Sequence, residues 1–383
     1  MRKFRVLMYT GYFLPEYSGA AQQALALARE LRDRGHVVEF VTVRWPGLPA
    51  EDLVEGFPVH RLTHGRRQKH REFALWFNLL RYAWSRRKDF DILHSHGAYY
   101  TNAIVGPLGR LLGLKSLVKA SLAGDDLSGL KRSATGWVHF WFLRSVDACV
   151  AISRDLEREF LEGGLAPERI HFLPNGVDLE LFAPVPAARK LELRRALGLP
   201  EERIIAVYVG VIDRRKNILW LAEQWVERQG FGTGALLLVV GPQSRDDPEG
   251  RLVGRLRDLG QTFPDLLQFR GFNHDIRHYY GAADLLVLPS RKEGLPNVVL
   301  EAMASGLPCV TAQASGSREL VCDGTNGYTY VADDADSLAR ALTLCLGERE
   351  ALGRRGRELT VQQYSLARIA DQYVALYARL LGA

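Results

Sequence analysis

The sequence predicts an α/β protein with two nucleotide-fold domains, each built on a parallel sheet. At 383 residues the chain is too long for one ordinary core and suits two domains of about 150–200 residues each. A strand, a helix and a second strand follow one another over residues 4–43, and the same order begins again at Ile204. This βαβ order implies parallel strands, whose carboxyl ends meet at the edge of the sheet where ligands bind.

Apolar runs and helix signals define the predicted elements. Phe4–Thr10 and Val37–Val43 are predicted strands around a helix from Ala21 to Arg34, which Gly35 ends. A small helix is expected inside the polar and Pro/Ala-rich stretch from Leu179 to Pro200, which marks the passage to the second domain. Further predicted strands lie at 91–96, 116–120, 147–153, 204–209, 236–240, 267–271 and 284–288.

Composition narrows the class of protein. Hydrophobic residues form 47% and charged residues 25% of the chain, the balance of an ordinary globular protein. The four cysteines form no C-x-x-C pair, so we expect reduced thiols and a cytoplasmic protein. No apolar run approaches the roughly 18–20 residues that span a bilayer, and a strand rather than a signal-peptide core follows Met1. The net charge of +6 suits an anionic substrate, an anionic membrane surface or nucleic acid, and does not choose among them.

The stretch Asp284–Pro308 contains the strongest candidate binding site. A short apolar strand leads into a helix from Asn297, so Gly294 to Val298 should lie at a helix N-terminus. Unpaired backbone N–H groups and roughly half a positive charge make such an end a seat for a diphosphate. Glu293 and Glu301 flank this seat and suit hydrogen bonds from sugar hydroxyls. The alternative is a buried strand and a helix that carries two solvated glutamates.

Residues 64–90 form a second unusual segment, in which GRRQKHR and SRRKDF bracket a run of helical character, EFALWFNLLRYAW. Basic ends around an aromatic amphipathic helix are typical of a helix that lies in a membrane interface. A core helix with solvated basic ends is the alternative, since helices of α/β domains also have wide apolar faces. The residues on one helical stripe are Phe73, Trp76, Phe77, Leu80 and Trp84, with Leu75, Leu79 and Tyr82 beside them.

Two histidines stand close together at the end of the strand DILHSH. His94 and His96 are two apart, so their side chains point the same way and could bind a metal. No third ligand stands nearby in sequence, and the helix-end seat supplies what a metal would supply, so we expect no metal. Gly19, just before the first helix, is either a simple turn residue or a place where a ligand approaches the backbone.

These motifs resemble glycosyltransferase family 4, the retaining GT-B enzymes of glycosyl transferases group 1. Residues 289–308 match the pattern PS-x-x-EG-x-P-N-V-x-x-EAMA-x-G-x-P with its E-x7-E signature, and D-x-x-H-x-H at 91–96, NGVD at 175–178 and GVIDRRKN at 210–217 follow the family order. The resemblance implies two Rossmann-like domains facing across a cleft. The acceptor side is expected at 1–182 and the nucleotide-sugar side at 183–365, with a helix at about 366–383 packing back on the first domain.

The resemblance also implies the reaction. A sugar would move, without a cofactor or metal, from a nucleotide sugar, UDP by preference, to a hydroxyl of a glycan or lipid-linked acceptor. The protein would be cytoplasmic or peripheral on the inner face of the membrane, would meet an anionic surface through 64–90, and would bind no nucleic acid. The resemblance implies that the diphosphate is bound by Arg215, Lys216 and the backbone of Gly294, Leu295, Asn297 and Val298. It implies that Glu293 binds the sugar, Glu301 the ribose and Arg270 the base. From the first domain, Gly19 and His96 are the implied site residues.

The chain departs from the family at three positions of these motifs. Ala20 replaces the second glycine of the first loop, Val211 replaces an arginine, and Ser121 replaces a histidine, where Asp125 or Asp126 could bind an acceptor hydroxyl instead. A sugar-nucleotide epimerase or hydrolase of the same fold, and a non-catalytic protein that binds sugar nucleotides, are therefore kept as alternative functions.

Overall fold

The structure is a computed structural model that describes residues 2–16, 18–64, 71–98, 102, 104–122, 127 and 136–382, with the backbone alone at 71 and 72. The chain divides into two compact units. Unit 1 comprises residues 1–176 and 366–383, and unit 2 comprises residues 177–365. The division after Gly176 falls slightly earlier than the predicted passage at 182, because the NGVD turn already separates the two cores.

Unit 1 contains a sheet with the strand order β3-β4-β2-β1-β5-β6-β7-β8. Its strands are β1 Arg5–Thr10, β2 Val37–Val43, β3 Glu51–Val54, β4 Phe57–Leu62, β5 Ile92–His96, β6 Lys115–Lys119, β7 Ala148–Ala151 and β8 Ile170–Phe172. The central strands β1 and β5 are buried along almost their whole length, as expected for strands covered on both faces. The register places Thr10, His96 and Lys119 side by side at the carboxyl edge.

The strands β3 and β4 were not predicted. They form an antiparallel hairpin at the edge of the otherwise parallel sheet. Its two-residue turn, Glu55-Gly56, has positive φ at both positions, 53° and 83°, as a tight hairpin turn requires. Arg29 binds the Glu55 carboxylate through two hydrogen bonds of 2.6 Å, which fastens this turn to the first helix.

Helices surround the sheet of unit 1. Those of the first segment are α1 Gly19–Asp33, α2 Arg71–Ser85, α3 Val105–Leu112, α4 Gly136–Leu143 and α5 Arg154–Glu162. As predicted, Gly35 follows the end of α1 in the left-handed region, with φ of 84°. No helix among the residues described is long and apolar enough to span a bilayer.

Unit 2 contains a second sheet, with the strand order β11-β10-β9-β12-β13-β14. Each of its ladders is parallel. The strands are β9 Ile205–Val209, β10 Leu236–Val240, β11 Leu267–Gly271, β12 Leu285–Leu288, β13 Cys309–Ala312 and β14 Gly327–Tyr330. The helices are α6 Ala187–Ala196, α7 Ile218–Glu227, α8 Arg251–Thr262, α9 Arg277–Ala282, α10 Asn297–Ala304, α11 Ser315–Leu320, α12 Ala335–Gly347 and α13 Arg349–Gln363.

The last helix, α14 Leu366–Leu381, belongs to unit 1. Its apolar face, which includes Ile369, Tyr373 and Tyr377, lies in the core shared with α1 and the central strands. Polar contacts add to this packing, because Arg34 at the end of α1 donates to the Asp371 carboxylate at 2.8 Å and to the Ala367 carbonyl at 3.0 Å.

Buried charges fasten helix α6 to the sheet of unit 2. Asp284, just before β12, accepts hydrogen bonds from Lys190 at 2.6 Å and Arg194 at 2.7 Å. The Arg194 side chain is only 5% exposed and also donates to the carbonyls of Ala282, Glu201 and Arg203. The stretch that composition marks as a passage between domains is therefore an integral part of unit 2.

Replacing Arg194 tests this anchor. In Arg194→Met the carboxylate of Asp284 keeps only Lys190 and the Ile205 amide as donors, and three carbonyls lose the donor that Arg194 supplies. We therefore expect a loss of about 3 kcal/mol in the free energy of unfolding, measured by urea denaturation. Arg195→Met is the matched control, because Arg195 pairs with Glu201 on the surface, where solvent screens the ion pair, and should change the free energy of unfolding much less. Equal losses of stability in the two variants would contradict the role of Arg194 as the anchor of α6.

Candidate functional site

Two loops of unit 2 meet at the carboxyl edge of its sheet, where the adjacent strands β9 and β12 end. The Lys216 ammonium donates to Glu293 Oε1 at 2.6 Å, and Arg215 Nη1 lies 3.5 Å from Glu293 Oε2. Two hydrogen bonds to backbone carbonyls also hold the two loops together. The Arg215 guanidinium donates to the Lys292 carbonyl at 2.8 Å, and the Arg291 amide donates to the Arg215 carbonyl at 3.0 Å. The structure thus brings together the basic pair and the first glutamate that the sequence predicts.

Glu293 is a buried, charged carboxylate. Its side chain is 6% exposed. Burial alone would raise the pKa of Glu293, but the charges of Lys216 and Arg215 outweigh burial and hold the pKa below its ordinary value. The cluster therefore holds two cations, Lys216 and Arg215, beside two carboxylates, because Asp213 lies 3.6 Å from the Arg215 guanidinium.

Glycines allow these loops to approach each other. A Cβ on Gly316, in α11, would lie 2.0 Å from the Gly294 carbonyl oxygen. A Cβ on Gly241, after β10, would lie 1.7 Å from the carbonyl oxygen of Gly210, which opens the Asp213–Lys216 loop. Both distances are far below any real contact. The loop of Gly294 and the Asp213–Lys216 loop can therefore take these positions only because Gly316 and Gly241 have no side chain.

The N-terminus of α10 lies next to this cluster. Pro296 precedes the helix as its cap residue and provides no side-chain hydrogen bond, so the first turn is not capped by its own N-cap side chain. Ser315 donates to the Glu293 carbonyl at 2.8 Å and holds the chain that enters the helix. The residues predicted to form the diphosphate seat lie here: Gly294, Leu295 and Val298 are buried, and Asn297 is partly exposed. Diphosphate binding at this helix end stays a prediction.

Glu301, one turn into α10, has surroundings different from those of Glu293. The Tyr280 hydroxyl of α9 donates to Glu301 Oε2 at 2.8 Å. Part of the Glu301 side chain stays accessible, yet burial raises its pKa to about 7, and the bond from Tyr280 offsets this only in part. The sequence did not single out Tyr280, because nothing in a spacing of 21 residues predicts the contact.

Asp333 is another residue that sequence reasoning missed. Its carboxylate accepts two hydrogen bonds of 2.9 Å from the Arg291 guanidinium and one of 2.9 Å from the Asn217 amide. Arg291 and Asn217 each adjoin one of the two loops that carry Glu293 and Lys216. Asp333 therefore ties both loops together at a second point, apart from the ion pair.

In unit 1, His96 ends strand β5 and is 3% exposed. Its ring stacks on that of His94 at 4.2 Å, and neither nitrogen has a hydrogen-bond partner among the described residues. Burial, with the nearby His94 and Lys119, lowers the pKa of His96 well below its usual value, so the imidazole is neutral. His94 is a core histidine whose Nδ1 lies 2.8 Å from the Tyr377 hydroxyl.

Lys119 ends the neighbouring strand β6 and was not predicted as a site residue. Its side chain is buried, its ammonium lies 5.8 Å from the centre of the Tyr373 ring, and burial lowers its pKa to about 7. The signal in the sequence was a lysine inside the apolar run Ser116–Ala120. Within the described ranges, no group of three His, Cys, Asp or Glu side chains could hold a metal ion.

Two further predicted residues remain, Gly19 in unit 1 and Arg270 in unit 2. Gly19 is the exposed first residue of α1. Arg270 is exposed on β11 and donates to the Leu197 carbonyl at 2.8 Å and to Gln268 at 2.6 Å, so it is not brought to the Glu293 cluster. Asp125 and Asp126 lie outside the described residues.

The aromatic stripe of helix α2 faces outward. Leu75, Leu79 and Ala83 pack into unit 1, whereas Phe73 is 67%, Phe77 65% and Trp84 48% exposed. The helix therefore has a buried side, which is the aliphatic one, and contact of its exposed aromatic side with a membrane stays a prediction. Helix α4 extends the exposed surface with Trp137, 75% exposed, and Trp141, 63% exposed, and Trp76 of α2 contacts Phe142 of α4 at 5.8 Å. We call Phe73, Phe77, Trp84, Trp137 and Trp141 the aromatic surface.

Fold and site define a protein with two α/β units, one of which brings Lys216, Arg215 and Glu293 together beside a helix N-terminus. Two family models match the chain: the glycosyl transferase 4-like domain over residues 18–176 and glycosyl transferases group 1 over residues 203–348. The chain belongs to glycosyltransferase family 4, with the GT-B fold, which confirms the fold class expected from the motifs.

Similar proteins agree with this assignment. The chain is 28% identical over 310 residues to the Escherichia coli UDP-Gal:alpha-D-GlcNAc-diphosphoundecaprenol alpha-1,3-galactosyltransferase, covering 77% of each protein. The Anabaena protein HepE, crystallised with UDP and glucose, superposes with a TM-score of 0.80 at 19% identity, covering 98% of this chain and 100% of HepE. Sucrose-phosphate synthase from Thermosynechococcus elongatus gives a TM-score of 0.80 at 22% identity over the whole of both chains.

The raised pKa of Glu301 predicts a pH-dependent stability. A carboxyl group with an ordinary pKa of 4.5 that titrates near 7 in the folded protein binds more protons folded than unfolded between those values. Its contribution to stability is therefore present at low pH and is lost as the pH rises from about 4.5 to about 7. Glu301→Gln removes this term, so the variant should gain about 1–2 kcal/mol relative to wild type between pH 5 and pH 8.

Urea unfolding of both proteins across this pH range measures the difference. Glu358→Gln, on α13, is a control whose stability curve should run parallel to that of wild type. Parallel curves for Glu301→Gln and wild type would show that Glu301 titrates normally.

Proposed function

We propose that this glycosyltransferase is a retaining enzyme that transfers a sugar from a UDP-sugar to a hydroxyl of a glycan or lipid-linked acceptor. The observation that carries the proposal is the cluster of Lys216, Arg215 and Glu293 beside the N-terminus of α10. Two cations and a helix end converge on one place, as the recognition of a diphosphate requires. A carboxylate adjoins that place, where a sugar attached to the diphosphate would need an acceptor for its hydroxyls.

Lys216 can donate hydrogen bonds to Glu293 and to the diphosphate at the same time. An ammonium group has three N–H donors, and the 2.6 Å bond to Glu293 uses one of them. The remaining donors are available to the diphosphate, while Glu293 stays charged and oriented. In the proposed reaction Lys216, Arg215 and the backbone of Gly294–Val298 stabilise the negative charge that grows on the departing diphosphate.

The proposed step is a displacement on one face of the donor sugar. The bond between the anomeric carbon and the diphosphate oxygen breaks, the acceptor hydroxyl forms the new bond on the same face, and its proton passes to the departing phosphate oxygen. Positioning and leaving-group stabilisation then supply the catalysis, and neither an enzymic nucleophile nor a metal is needed. The configuration at the anomeric carbon is retained.

Glu301 and the residues of unit 1 complete the assignment. Glu301 would accept hydrogen bonds from the ribose hydroxyls, and Gly19 and Arg270 remain proposed contacts of the donor. His96, neutral and without a hydrogen-bond partner in the described chain, would meet an acceptor or donor hydroxyl from unit 1. UDP is supported by the donor of the Escherichia coli relative, which is UDP-Gal.

The aromatic surface supports a peripheral membrane location on the cytoplasmic face. Large aromatic side chains on two neighbouring helices are unusual on a protein surface facing water, and Trp and Phe are typical of helices that lie in a lipid interface. The sequence on both sides of α2 is basic, with GRRQKHR before and SRRK after it. Such charge favours anionic lipid, so we propose an anionic bilayer as the occupant.

A lysine substitution tests the catalytic assignment. Lys216→Ala should lower the turnover of UDP-sugar hydrolysis by about two to three orders of magnitude, because it removes one key electrostatic donor to the leaving group. A screen of UDP-, GDP- and ADP-sugars without acceptor identifies the donor first. Arg214→Ala is the matched control, an exposed arginine beside the site that should keep near wild-type turnover. Near wild-type turnover in Lys216→Ala would remove Lys216 from the mechanism.

Vesicle binding tests the membrane surface. Wild type should sediment with vesicles that contain phosphatidylglycerol, and Phe77→Ser with Trp137→Ser and Trp141→Ser should lose most of this binding because three exposed rings are removed. Phe263→Ser, at an exposed aromatic position of unit 2, serves as the control. Absence of wild-type binding at low salt would exclude the proposed surface.

A further inference from the structure

An open cavity of about 650 Å³ lies at the carboxyl edge of the unit 1 sheet, beyond the ends of β2 and β4. None of the site residues inferred from the sequence line it. It is formed by two short segments: residues 44–49, which follow β2, and Thr63 with His64, which follow β4. A cavity of this size suits a small ligand such as a sugar ring or two.

Aromatic rings from three neighbouring strand ends meet beside this cavity. The Tyr12 ring, after β1, stacks on the Trp45 ring, after β2, with centres 5.1 Å apart and planes within 9°. The His64 ring, after β4, contacts the Trp45 ring edge-on at 5.6 Å. Tyr12 is 43% exposed although Trp45 covers one side of its ring. Trp45 lines the cavity itself, whereas Tyr12 does not line it and stacks on the Trp45 ring. The cavity therefore presents an aromatic ring to a ligand at this edge of the sheet.

Hydrogen bonds hold the platform in place before any ligand arrives. The Leu48 amide donates to the Trp45 carbonyl at 3.2 Å, and the Arg44 guanidinium donates to the Leu48 carbonyl at 3.0 Å. On the other side, the Asn78 amide of α2 donates to the Thr63 carbonyl at 2.8 Å. A preformed ring surface loses little conformational freedom on binding, which favours recognition of a weakly bound ligand.

The chemistry of the lining selects one class of ligand. Stacked aromatic rings attract the C–H face of a pyranose, because the ring faces carry partial negative charge. Arg44 adds exposed N–H donors at the rim, and Thr63 adds a hydroxyl, which suit sugar hydroxyl groups. A single exposed cation does not make an anion site, so a neutral ring fits the lining better than a phosphate does.

We propose that Tyr12 and Trp45 form a stacking platform for a pyranose ring of the acceptor. The strand order β4-β2-β1-β5 places Trp45 two strands from His96, about 10 Å along the same sheet edge. The platform thus suits a ring next to the one that carries the attacking hydroxyl. This inference rests on the proposed transferase function and assigns it a saccharide acceptor.

The test uses simple glycosides as probes and the chain of 383 residues with both units. Methyl and octyl glycosides of glucose, galactose and N-acetylglucosamine, the octyl compounds below their micelle concentration, are titrated by saturation-transfer NMR. Tyr12→Leu and Trp45→Leu should each weaken binding of the recognised glycoside about tenfold. Tyr12→Phe and Trp45→Phe keep a ring and should change binding less than about twofold. Thermal unfolding of each variant confirms that the fold is intact.

The outcomes separate this proposal from the proposed reaction. Equal losses for methyl and octyl glycosides in the leucine variants, with UDP-sugar hydrolysis within twofold of wild type, support the platform. The platform stands, and the donor assignment fails, if wild type binds the glycoside as described but hydrolyses no nucleotide sugar. Unchanged binding in both leucine variants, or no glycoside binding to wild type at millimolar concentration, overturns it. Two other results also overturn the platform. Weaker binding of the octyl glycosides alone would mean that the rings bind an alkyl chain, and loss of uridine binding in the leucine variants would mean that they bind a nucleobase.

Discussion

The candidate site of unit 2 depends on the ion pair between Lys216 and Glu293. These residues lie on loops that leave two adjacent parallel strands, and neither loop has regular structure to fix its path. A carboxylate that is only 6% exposed would be strongly destabilising without a cation, so the two loops must stay within hydrogen-bond distance. Asp333 restrains the same loops at a second point, through Arg291 and Asn217. Function and local folding therefore require the same contact.

The two glutamates of the E-x7-E signature have opposite electrostatic surroundings. Glu293 is buried beside two cations and has a lowered pKa, whereas Glu301 is surrounded by neutral groups and has a pKa raised to about 7. Near neutral pH the first is charged and the second is close to its titration point. Identical side chains eight positions apart can thus do different work, one as a fixed negative charge and the other as a group whose charge a bound ligand would change.

The carboxyl edge of the unit 1 sheet combines groups of three kinds. Buried basic groups, His96 and Lys119, end the central strands β5 and β6. Aromatic rings, Tyr12 and Trp45, follow β1 and β2, and the aromatic surface covers the outer sides of α2 and α4. Parallel sheets align their strand ends at one edge, so residues far apart in sequence come together there. A neutral sugar ring, a hydroxyl group and a lipid surface each have a chemically suitable partner in this unit.

The sequence by itself determined the class of fold, most strand positions and the cluster around Glu293, because period-2 and period-3.6 apolar patterns and loop motifs are local signals. It missed the β3–β4 hairpin, although Glu55-Gly56 was a turn signal, and it placed the aromatic stripe of α2 on the helix without saying which side is buried. Tertiary structure alone decided that Leu75 and Leu79 face the core, that Tyr280 meets Glu301, and that Tyr12 stacks on Trp45. Such contacts join residues distant in sequence, and only the packing of whole elements fixes which of them meet.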